Sequence, residues 1–141
     1  MHARARRLVE QDGLSKTLGI RVLELDPERV AATMPVASHN HQPWGYLGGG
    51  ANLALAEIVA SLGGTLNCPE GKAAFGMEVN ANHVRSVREG WVLARAVPLH
   101  RGRTSQVWEV KIDDERDSLV CAARCTLAVV SVGSEALSEP A

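Results

Sequence analysis

The sequence predicts an α+β fold in which one long helix packs on a six-stranded antiparallel sheet. Only one long apolar segment has helical character, between residues 49 and 66, and it lies after two segments and before four that have the pattern of β-strands. A chain of 141 residues can bury the core of one such domain. We therefore expect a single domain over residues 1–141, with a disordered tail from about residue 133.

The strands are predicted in two groups. Residues 4–17 have the pattern of a short helix and turn, and segments 20–25 and 29–36 are predicted to form a hairpin around Asp26-Pro27. After the helix, strands are expected at 75–81, 91–99, 106–112 and 119–132, the last of them fully buried. Short turns at 89–90, 101–102 and 114–117 predict that these four strands form an antiparallel meander. One helix cannot cover six strands, so we expect a second copy of the chain to cover an edge or a face.

Composition excludes several classes of protein. The longest apolar run, residues 119–132, is interrupted by Arg124, so neither a secreted nor a membrane-spanning chain is expected, and the predicted location is cytoplasmic. Cys121 and Cys125 are four residues apart in a predicted strand, which separates them by about 13 Å, beyond the reach of a disulfide. No further ligands at suitable spacing accompany them, so we predict no metal site.

The net charge is −1, yet basic residues are concentrated in one part of the chain. Between residues 79 and 108 there are five arginines and one acidic residue, Glu89. Such a cluster suits a compact polyanion, such as the phosphates of a nucleotide, better than duplex nucleic acid, which requires a basic domain with a reading motif. A solvated charged surface is the alternative interpretation.

Glu57 is the only charged residue between residues 51 and 66. No basic side chain lies three or four positions from it, and such an unpaired carboxylate suits a general base or a nucleophile. The alternative is a solubilising residue on a solvent-facing side of the helix. The helical period predicts small residues on the Glu57 face and bulky residues on the face that packs on the sheet. The first set is Gly50, Ala54, Ala60, Ser61 and Gly64, and the second is Leu55, Val59, Leu62 and Leu66.

A glycine-rich loop, residues 42–50, leads directly into this helix. The first backbone N–H groups of a helix have no intrahelical acceptor, and the helix dipole favours negative charge there. A thioester carbonyl at this point would have its oxyanion stabilised. A merely flexible turn is the alternative.

With these features the sequence resembles the hotdog-fold acyl-CoA thioesterases of the PaaI-like group, which include the bacterial 1,4-dihydroxy-2-naphthoyl-CoA and enterobactin-proofreading thioesterases. The resemblance extends from about residue 18 to residue 130, and its most telling stretches are Ala32-Thr33-Met34-Pro35-Val36, Gln42-Pro43-Trp44-Gly45, Leu55-Ala56-Glu57, Val79-Asn80-Ala81-Asn82-His83-Val84-Arg85-Ser86 and Gln106-Val107-Trp108.

The resemblance implies roles for particular residues. Glu57 falls at the acidic nucleophile or general base, Gln42 at the amide near the thioester carbonyl, and Gly49 at the oxyanion-hole N–H. Ser61 falls at the residue that positions the water or the carboxylate, and His83 at a histidine of the acyl pocket, although a structural histidine is the commoner alternative at such a position. The positions implied to contact the CoA phosphates are Arg101, Gly102, Arg103, Thr104 and, more weakly, Arg85.

One position departs from the family pattern, since Gly48 stands where the family has a histidine. The resemblance implies hydrolysis of an acyl-CoA, with an aromatic acyl group such as hydroxybenzoyl or dihydroxynaphthoyl favoured. The missing imidazole leaves a second possibility open, a non-hydrolytic or weakly active acyl-CoA binding protein. A hydratase is disfavoured because no suitable Asp and His pair is evident. No cofactor is expected beyond the CoA of the substrate. The expected assembly is a homodimer with an intersubunit active site, further paired as a dimer of dimers.

Overall fold

A computed structural model describes residues 3–133 and confirms the predicted fold of one long helix on a six-stranded antiparallel sheet. The predicted tail lies, after Gly133, outside the described residues. The elements are α1 (Ala3–Val9), α2 (Leu14–Leu18), β1 (Arg21–Asp26), β2 (Arg29–Val36), a 3-10 turn (Ser38–Asn40), α3 (Gly49–Leu66), β3 (Lys72–His83), β4 (Gly90–Arg101), β5 (Ser105–Asp113) and β6 (Leu119–Ser131). No helix within residues 3–133 is long and apolar enough to cross a membrane.

The sheet has the strand order β1-β2-β4-β5-β6-β3, with every neighbouring pair antiparallel. The hairpin β1–β2 and the meander β4-β5-β6 are confirmed. The predicted pairing of β3 with β4 is wrong, because β3 pairs with β6 at the far edge. Residues 84–89 do not form a hairpin turn. They run from β3, at the edge of the sheet, past β6 and β5 to β4. Their backbone is held by hydrogen bonds from Val84 N–H to the carbonyl of Val120 (2.8 Å) and from Leu47 N–H to the carbonyl of Val87 (2.7 Å).

Helix α3 packs on the sheet through its smallest residues. A Cβ atom on Gly63 would lie 2.5 Å from the ring of Trp108, and one on Gly64 would lie 2.8 Å from the Cβ of Ala74. Ala60 and Gly64 were predicted to lie on the Glu57 face, opposite the side that packs on the sheet. Both are buried, and Gly64 packs against Ala74 of β3, so this division into two faces is wrong for Gly64. The absence of bulk on this side of the helix leaves room for the completely buried indole of Trp108.

Two strands differ from their predicted burial. Strand β6 alternates between buried and exposed positions, with Arg124 exposed between buried neighbours, so it is not fully buried. In β3 the pairing register shifts between Gly76 and Glu78, a β-bulge that interrupts the predicted alternation. Phe75 and Met77 are consequently 56% and 61% exposed on an edge strand.

Candidate active site

The loop before α3 is held in a single shape by Asn40. Its backbone carbonyl accepts from Gly48 N–H (2.9 Å), and its buried side chain donates to the carbonyl of Pro35 (2.8 Å). Between these anchors the chain reverses at Gly45, whose φ of 85° favours glycine. The start of the helix is thus fixed relative to the sheet.

Helix α3 begins without a capping side chain. Gly48 is the N-cap residue, and no side-chain hydrogen bond caps the helix. The N–H groups of Gly49 and Gly50 stand in the first turn, where an α-helix offers no acceptor, while Ala51 N–H reaches the carbonyl of Gly48 at 3.1 Å. These backbone donors and the positive end of the helix dipole are therefore available to bind a negatively charged ligand atom.

Gln42 lies beside these donors, and its side-chain oxygen is already occupied. That oxygen accepts from the N–H groups of Trp44 (2.6 Å) and Tyr46 (3.3 Å). Because the carboxamide is fixed in this way, its Nε2 group is presented as a donor. An open pocket of about 360 Å³ contains Gln42, and it is lined by Gln42, Tyr46, Leu47, Gly49, Asn52, His83, Val84, Arg85 and Ser86.

The imidazole of His83 lies against the first residue of α3. A Cβ atom on Gly49 would be 2.9 Å from His83 Nε2, so only glycine allows this approach. The other ring nitrogen, Nδ1, lies 3.5 Å from Nδ2 of Asn52. The structure thus brings His83 to the loop that holds Gln42 and Gly49, from which it is more than 30 positions away in the sequence.

Glu57 occupies a second pocket, of about 440 Å³, whose walls are mostly apolar. Ser61 Oγ donates to Glu57 Oε1 at 3.3 Å, and none of the ion pairs among residues 3–133 includes Glu57. The carboxylate rests on Gly76 of β3, where an added Cβ would lie 2.8 Å from Glu57 Cγ and 2.9 Å from Cδ. The pocket is lined by Leu8, Glu57, Ile58, Ser61, Leu62, Thr65, Ala74, Phe75 and Gly76.

The two pockets share no lining residue. Gly49 and Glu57 are eight positions apart on one helix, which is about 12 Å along its axis. Within one chain, therefore, the oxyanion donors and the carboxylate do not reach the same carbonyl group.

Comparisons with known proteins place this geometry in a family. The profile of the thioesterase superfamily matches residues 45–121, a span that holds the helix start, Glu57 and His83. The chain belongs to the thioesterase superfamily. The predictions of a hotdog-fold thioesterase and of a thioester hydrolase are thereby confirmed.

Relatives and solved structures agree with this assignment. The 1,4-dihydroxy-2-naphthoyl-CoA hydrolase of Listeria monocytogenes is 42% identical over 83% of this chain and 95% of its own length. The protein of the same name from Escherichia coli is 46% identical over 80% of this chain and 83% of its own. A thioesterase structure from Haemophilus influenzae has a TM-score of 0.85 at 40% identity, covering 93% of this chain and 92% of that one.

The arginine cluster is spread over both ends of this thioesterase. Arg101 donates to Glu28 Oε1 at 2.8 Å and to Asn67 Oδ1 at 3.3 Å, and Asn67 is the C-cap of α3. The turn that holds Arg101, Gly102, Arg103 and Thr104 therefore lies about 27 Å along the helix from Gly49. Arg85, the weaker candidate, is the arginine that lines the Gly49 pocket. Phosphate contact by any of these residues stays a prediction.

Gly48 leaves the family's histidine position without an imidazole. His39 Nε2 pairs with the carbonyl of Leu18 (3.3 Å) and His41 Nε2 with the carbonyl of Arg88 (2.9 Å), so both rings face away from the pocket. The φ of Gly48 is −70°, and an added Cβ would meet the carbonyl oxygen of Asn40 at 3.3 Å. A Cβ atom at this position therefore requires the Asn40 carbonyl to shift by a few tenths of an ångström.

Two residues of this site were not predicted. Asn52 touches His83, and Gly76 supports the Glu57 carboxylate. An isolated glycine within a strand pattern is a known signal for a bulge or a close approach, so Gly76 could have been found from sequence. The signal for Asn52 is weaker, namely a lone amide in an apolar helix. Within residues 3–133 no group of three acidic, histidine or cysteine side chains is placed to hold a metal ion.

Cys125 of β6 is completely buried and is expected to remain a thiol. Burial, with added repulsion from Glu57 and Glu78, raises the pKa of Cys125 from 9.0 to about 12. The unfolded chain loses this proton near its ordinary pKa while the folded chain keeps it, so the contribution to stability is complete below pH 9 and is lost as the pH rises towards 12. The free energy of unfolding in urea should therefore fall between pH 8 and about pH 10.5, and it should fall less steeply in Cys125→Ala. Identical slopes for both proteins would contradict this assignment.

Proposed function

We propose that the protein hydrolyses an acyl-CoA with an aromatic acyl group to the free acid and CoA. The observation that supports this most directly is an unpaired carboxylate, Glu57, on a helix whose uncapped N-terminus offers the Gly49 N–H beside the fixed amide of Gln42. The relatives named 1,4-dihydroxy-2-naphthoyl-CoA hydrolase support an aromatic acyl group.

The proposed chemistry begins with polarisation of the thioester carbonyl. The Gly49 N–H and Gln42 Nε2 donate to its oxygen, and both bonds strengthen as that oxygen becomes an anion. Glu57 then acts in one of two ways. It takes a proton from water, which adds to the carbonyl carbon, or it adds itself and forms an anhydride that water later opens. In either route the C–S bond breaks, the electron pair leaves on the CoA sulfur, and the sulfur takes up a proton.

Ser61 keeps the carboxylate in place during this step. Its hydroxyl donates to Oε1 of Glu57, so the other carboxylate oxygen is presented to water or to the carbonyl carbon. The apolar wall formed by Leu8, Ile58 and Leu62 suits an aromatic ring on the acyl side of the carbonyl.

A second copy of the chain completes the proposed site. Glu57 and Gly49 are about 12 Å apart within one chain, so the donors of one copy must meet the carboxylate of the other. The exposed edge strand β3, which carries Phe75 and Met77 beside Glu57, supports a homodimer formed along this edge. A dimer of dimers would cover the outer face of the sheet, where Val97 and Leu99 are exposed. Light scattering that gives a stable monomer would contradict both assemblies.

The CoA part of the substrate is proposed to contact arginines. Arg85 lines the Gly49 pocket of its own chain. The turn Arg101-Gly102-Arg103-Thr104, near the C-terminal end of α3, supplies further cations and backbone N–H groups. We also infer a cytoplasmic location, since the three cysteines are free thiols and a CoA thioester is an intracellular substrate.

Gly48 favours a second candidate function, the binding of acyl-CoA with little turnover. A histidine at this position would supply a further hydrogen bond at the start of the helix, and its absence removes that contribution. Binding of acyl-CoA without turnover by the wild type is the signature of this second candidate, whereas turnover restored by Gly48→His would identify an enzyme damaged by the loss of its histidine.

A substrate panel tests the proposed function. Thiol release should be followed for the wild type and for Glu57→Gln with benzoyl-CoA, 4-hydroxybenzoyl-CoA, dihydroxynaphthoyl-CoA and straight-chain acyl-CoAs. We expect the highest kcat/KM for an aromatic thioester and a loss of about 10³-fold or more in kcat for the variant, because the nucleophile or base is removed. Glu78→Gln, which neutralises a neighbouring exposed carboxylate, is the matched control. The absence of release from every thioester, or equal release by wild type and Glu57→Gln, would refute the proposal.

A further inference from the structure

We propose that Asn52 is a positioning residue that fixes the tautomer of His83, so that the Nε2–H of His83 becomes an additional donor to the thioester carbonyl oxygen. This inference rests on the proposed function, because it concerns the same carbonyl. Gly48 has no imidazole with which to form a hydrogen bond, and the inference assigns such a bond to His83 instead.

Asn52 is the first observation. It lies in the first turns of α3, is only 3% exposed, and lines the pocket that holds Gln42 and Gly49. Its Oδ1 is buried without a hydrogen-bond partner among the described residues. Buried amides almost always have their groups paired, so an incompletely paired amide that faces a pocket marks a functional position.

The position of His83 is the second observation. The ring lies at the last residue of β3, and the next residue is anchored by the hydrogen bond from Val84 N–H to the carbonyl of Val120. Nε2 is the ring atom nearest to the place where a Cβ of Gly49 would stand, at 2.9 Å. Cδ2 and Cε1 lie 3.2 and 3.3 Å from the same place, so the Nε2 side of the ring face packs on Gly49, and the proposed donor atom lies at the start of the helix.

The orientation of the Asn52 amide decides which ring nitrogen carries the proton. In the observed orientation Nδ2, which can only donate, faces Nδ1 of His83 at 3.5 Å. Nδ1 must then be the acceptor, and the proton of a neutral imidazole lies on Nε2. In the reverse orientation the NH₂ group would stand where Oδ1 now has no partner, and both of its hydrogens would lack an acceptor. The observed orientation therefore leaves fewer donors unpaired in the protein interior.

Nothing else in the pocket supplies an imidazole. Gly48 has no side chain, and the rings of His39 and His41 are bonded to backbone carbonyls elsewhere. Among residues 3–133, His83 is the one histidine that lines this pocket. Three donors would then converge on the oxyanion: the Gly49 N–H, Gln42 Nε2 and His83 Nε2.

Proton-detected ¹⁵N spectroscopy of the histidine rings tests the tautomer directly. The spectra are recorded on the protein without substrate at about pH 8.5, where an ordinary neutral imidazole carries one proton. The His83 signals are assigned by their loss in His83→Gln. We expect the Nε2–H tautomer in the wild type. Asn52→Asp presents only acceptor oxygens to Nδ1 and should therefore shift His83 to the Nδ1–H tautomer.

Kinetics provide the second measurement. We expect Asn52→Asp to lower kcat at least tenfold with little change in KM, since the lost bond forms mainly in the transition state. Lys16→Gln is the charge control: it makes the net charge more negative by the same one unit at an exposed position of α2, outside both pockets and the β3 edge, and should leave the tautomer unchanged and kcat within about twofold. If Asn52→Asp does not fold, Asn52→Ala replaces it, and a mixture of both tautomers with a similar fall in kcat is expected.

The outcomes separate this inference from the proposed function. An Nδ1–H tautomer in the wild type, or a His83 tautomer that is the same in wild type, Asn52→Asp and Asn52→Ala, would overturn the role of Asn52 even if the protein hydrolyses acyl-CoA. A wild type that releases no thiol from any thioester would refute the proposed function, while the spectra would still decide whether Asn52 sets the tautomer.

Discussion

Two inactive variants, Gln42→Ala and Glu57→Gln, are expected to recover about a quarter of the wild-type activity when they are unfolded and refolded together. Each variant alone lacks one half of the proposed site: the first loses a donor to the oxyanion and the second loses the carboxylate. A mixed dimer contains one site with the intact Gln42 of one copy and the intact Glu57 of the other. About half of the dimers are mixed and each has one working site of two, which gives the quarter.

This expectation follows from the distance between the two halves of the site. The Gly49 donors and Glu57 are about 12 Å apart on one helix, whereas a carbonyl oxygen and its attacking atom must be held within about 3.5 Å of their partners. Removal of one oxyanion donor costs about 10²–10³ in kcat. A recovery to a quarter of wild type would therefore stand far above the background of either variant.

The control for this experiment is a mixture in which no complete site can form. Glu57→Gln refolded with Ser61→Ala places both defects in the carboxylate half, so a mixed dimer contains no site in which Glu57 and Ser61 of the same copy are both intact. Activity should equal the average of the two parents. If Gln42→Ala and Glu57→Gln also give only the average, the site lies within one chain and the proposed dimer is wrong.

The part of the site that could be predicted from sequence is the part formed by consecutive residues. The loop from Gln42 to Gly50 and the helix that follows are local features. The glycines indicate the loop, the helical period indicates the helix, and the start of the helix gives the position of the first free N–H groups. Glu57 was recognisable because it is the only charge in an apolar helix. Local chemistry of this kind does not depend on how the strands are arranged.

What could not be predicted depends on contacts between distant segments. Strand β3 has the alternation of a meander strand, and only its pairing with β6 shows that it lies at the far edge of the sheet. Gly64 of α3 was assigned to the wrong face because Ala74, from β3, and Leu127, from β6, determine that the helix must be small there. Arg101 pairs with Glu28, 73 positions away, which no periodicity encodes.

Gly76→Ala is the second change expected to have a large effect, although residue 76 is exposed and carries no chemistry of its own. Its φ is not positive, so alanine can adopt the backbone conformation of this bulge without strain. The new methyl group, however, would lie 2.8 Å from Cγ and 2.9 Å from Cδ of Glu57, inside van der Waals contact. The carboxylate must therefore move, and the hydrogen bond from Ser61 must lengthen or break.

We expect Gly76→Ala to lower kcat about 10²-fold, since a displacement of about 1 Å at a reacting group has a cost of this order. KM should change little, because the donors at Gly49 and the arginines are untouched. The temperature of unfolding should stay close to that of the wild type, since an exposed position in an edge strand contributes little to the core. A variant that loses kcat and thermal stability together would indicate a general defect in β3.

A double-mutant cycle decides whether Gly76 acts through Glu57. In the background of Glu57→Gln, where the proposed catalytic carboxylate is already absent, Gly76→Ala should cause no further loss of turnover, and the two effects should be strongly non-additive. Independent effects that multiply would show that Gly76 matters for another reason, such as pairing between two β3 edges.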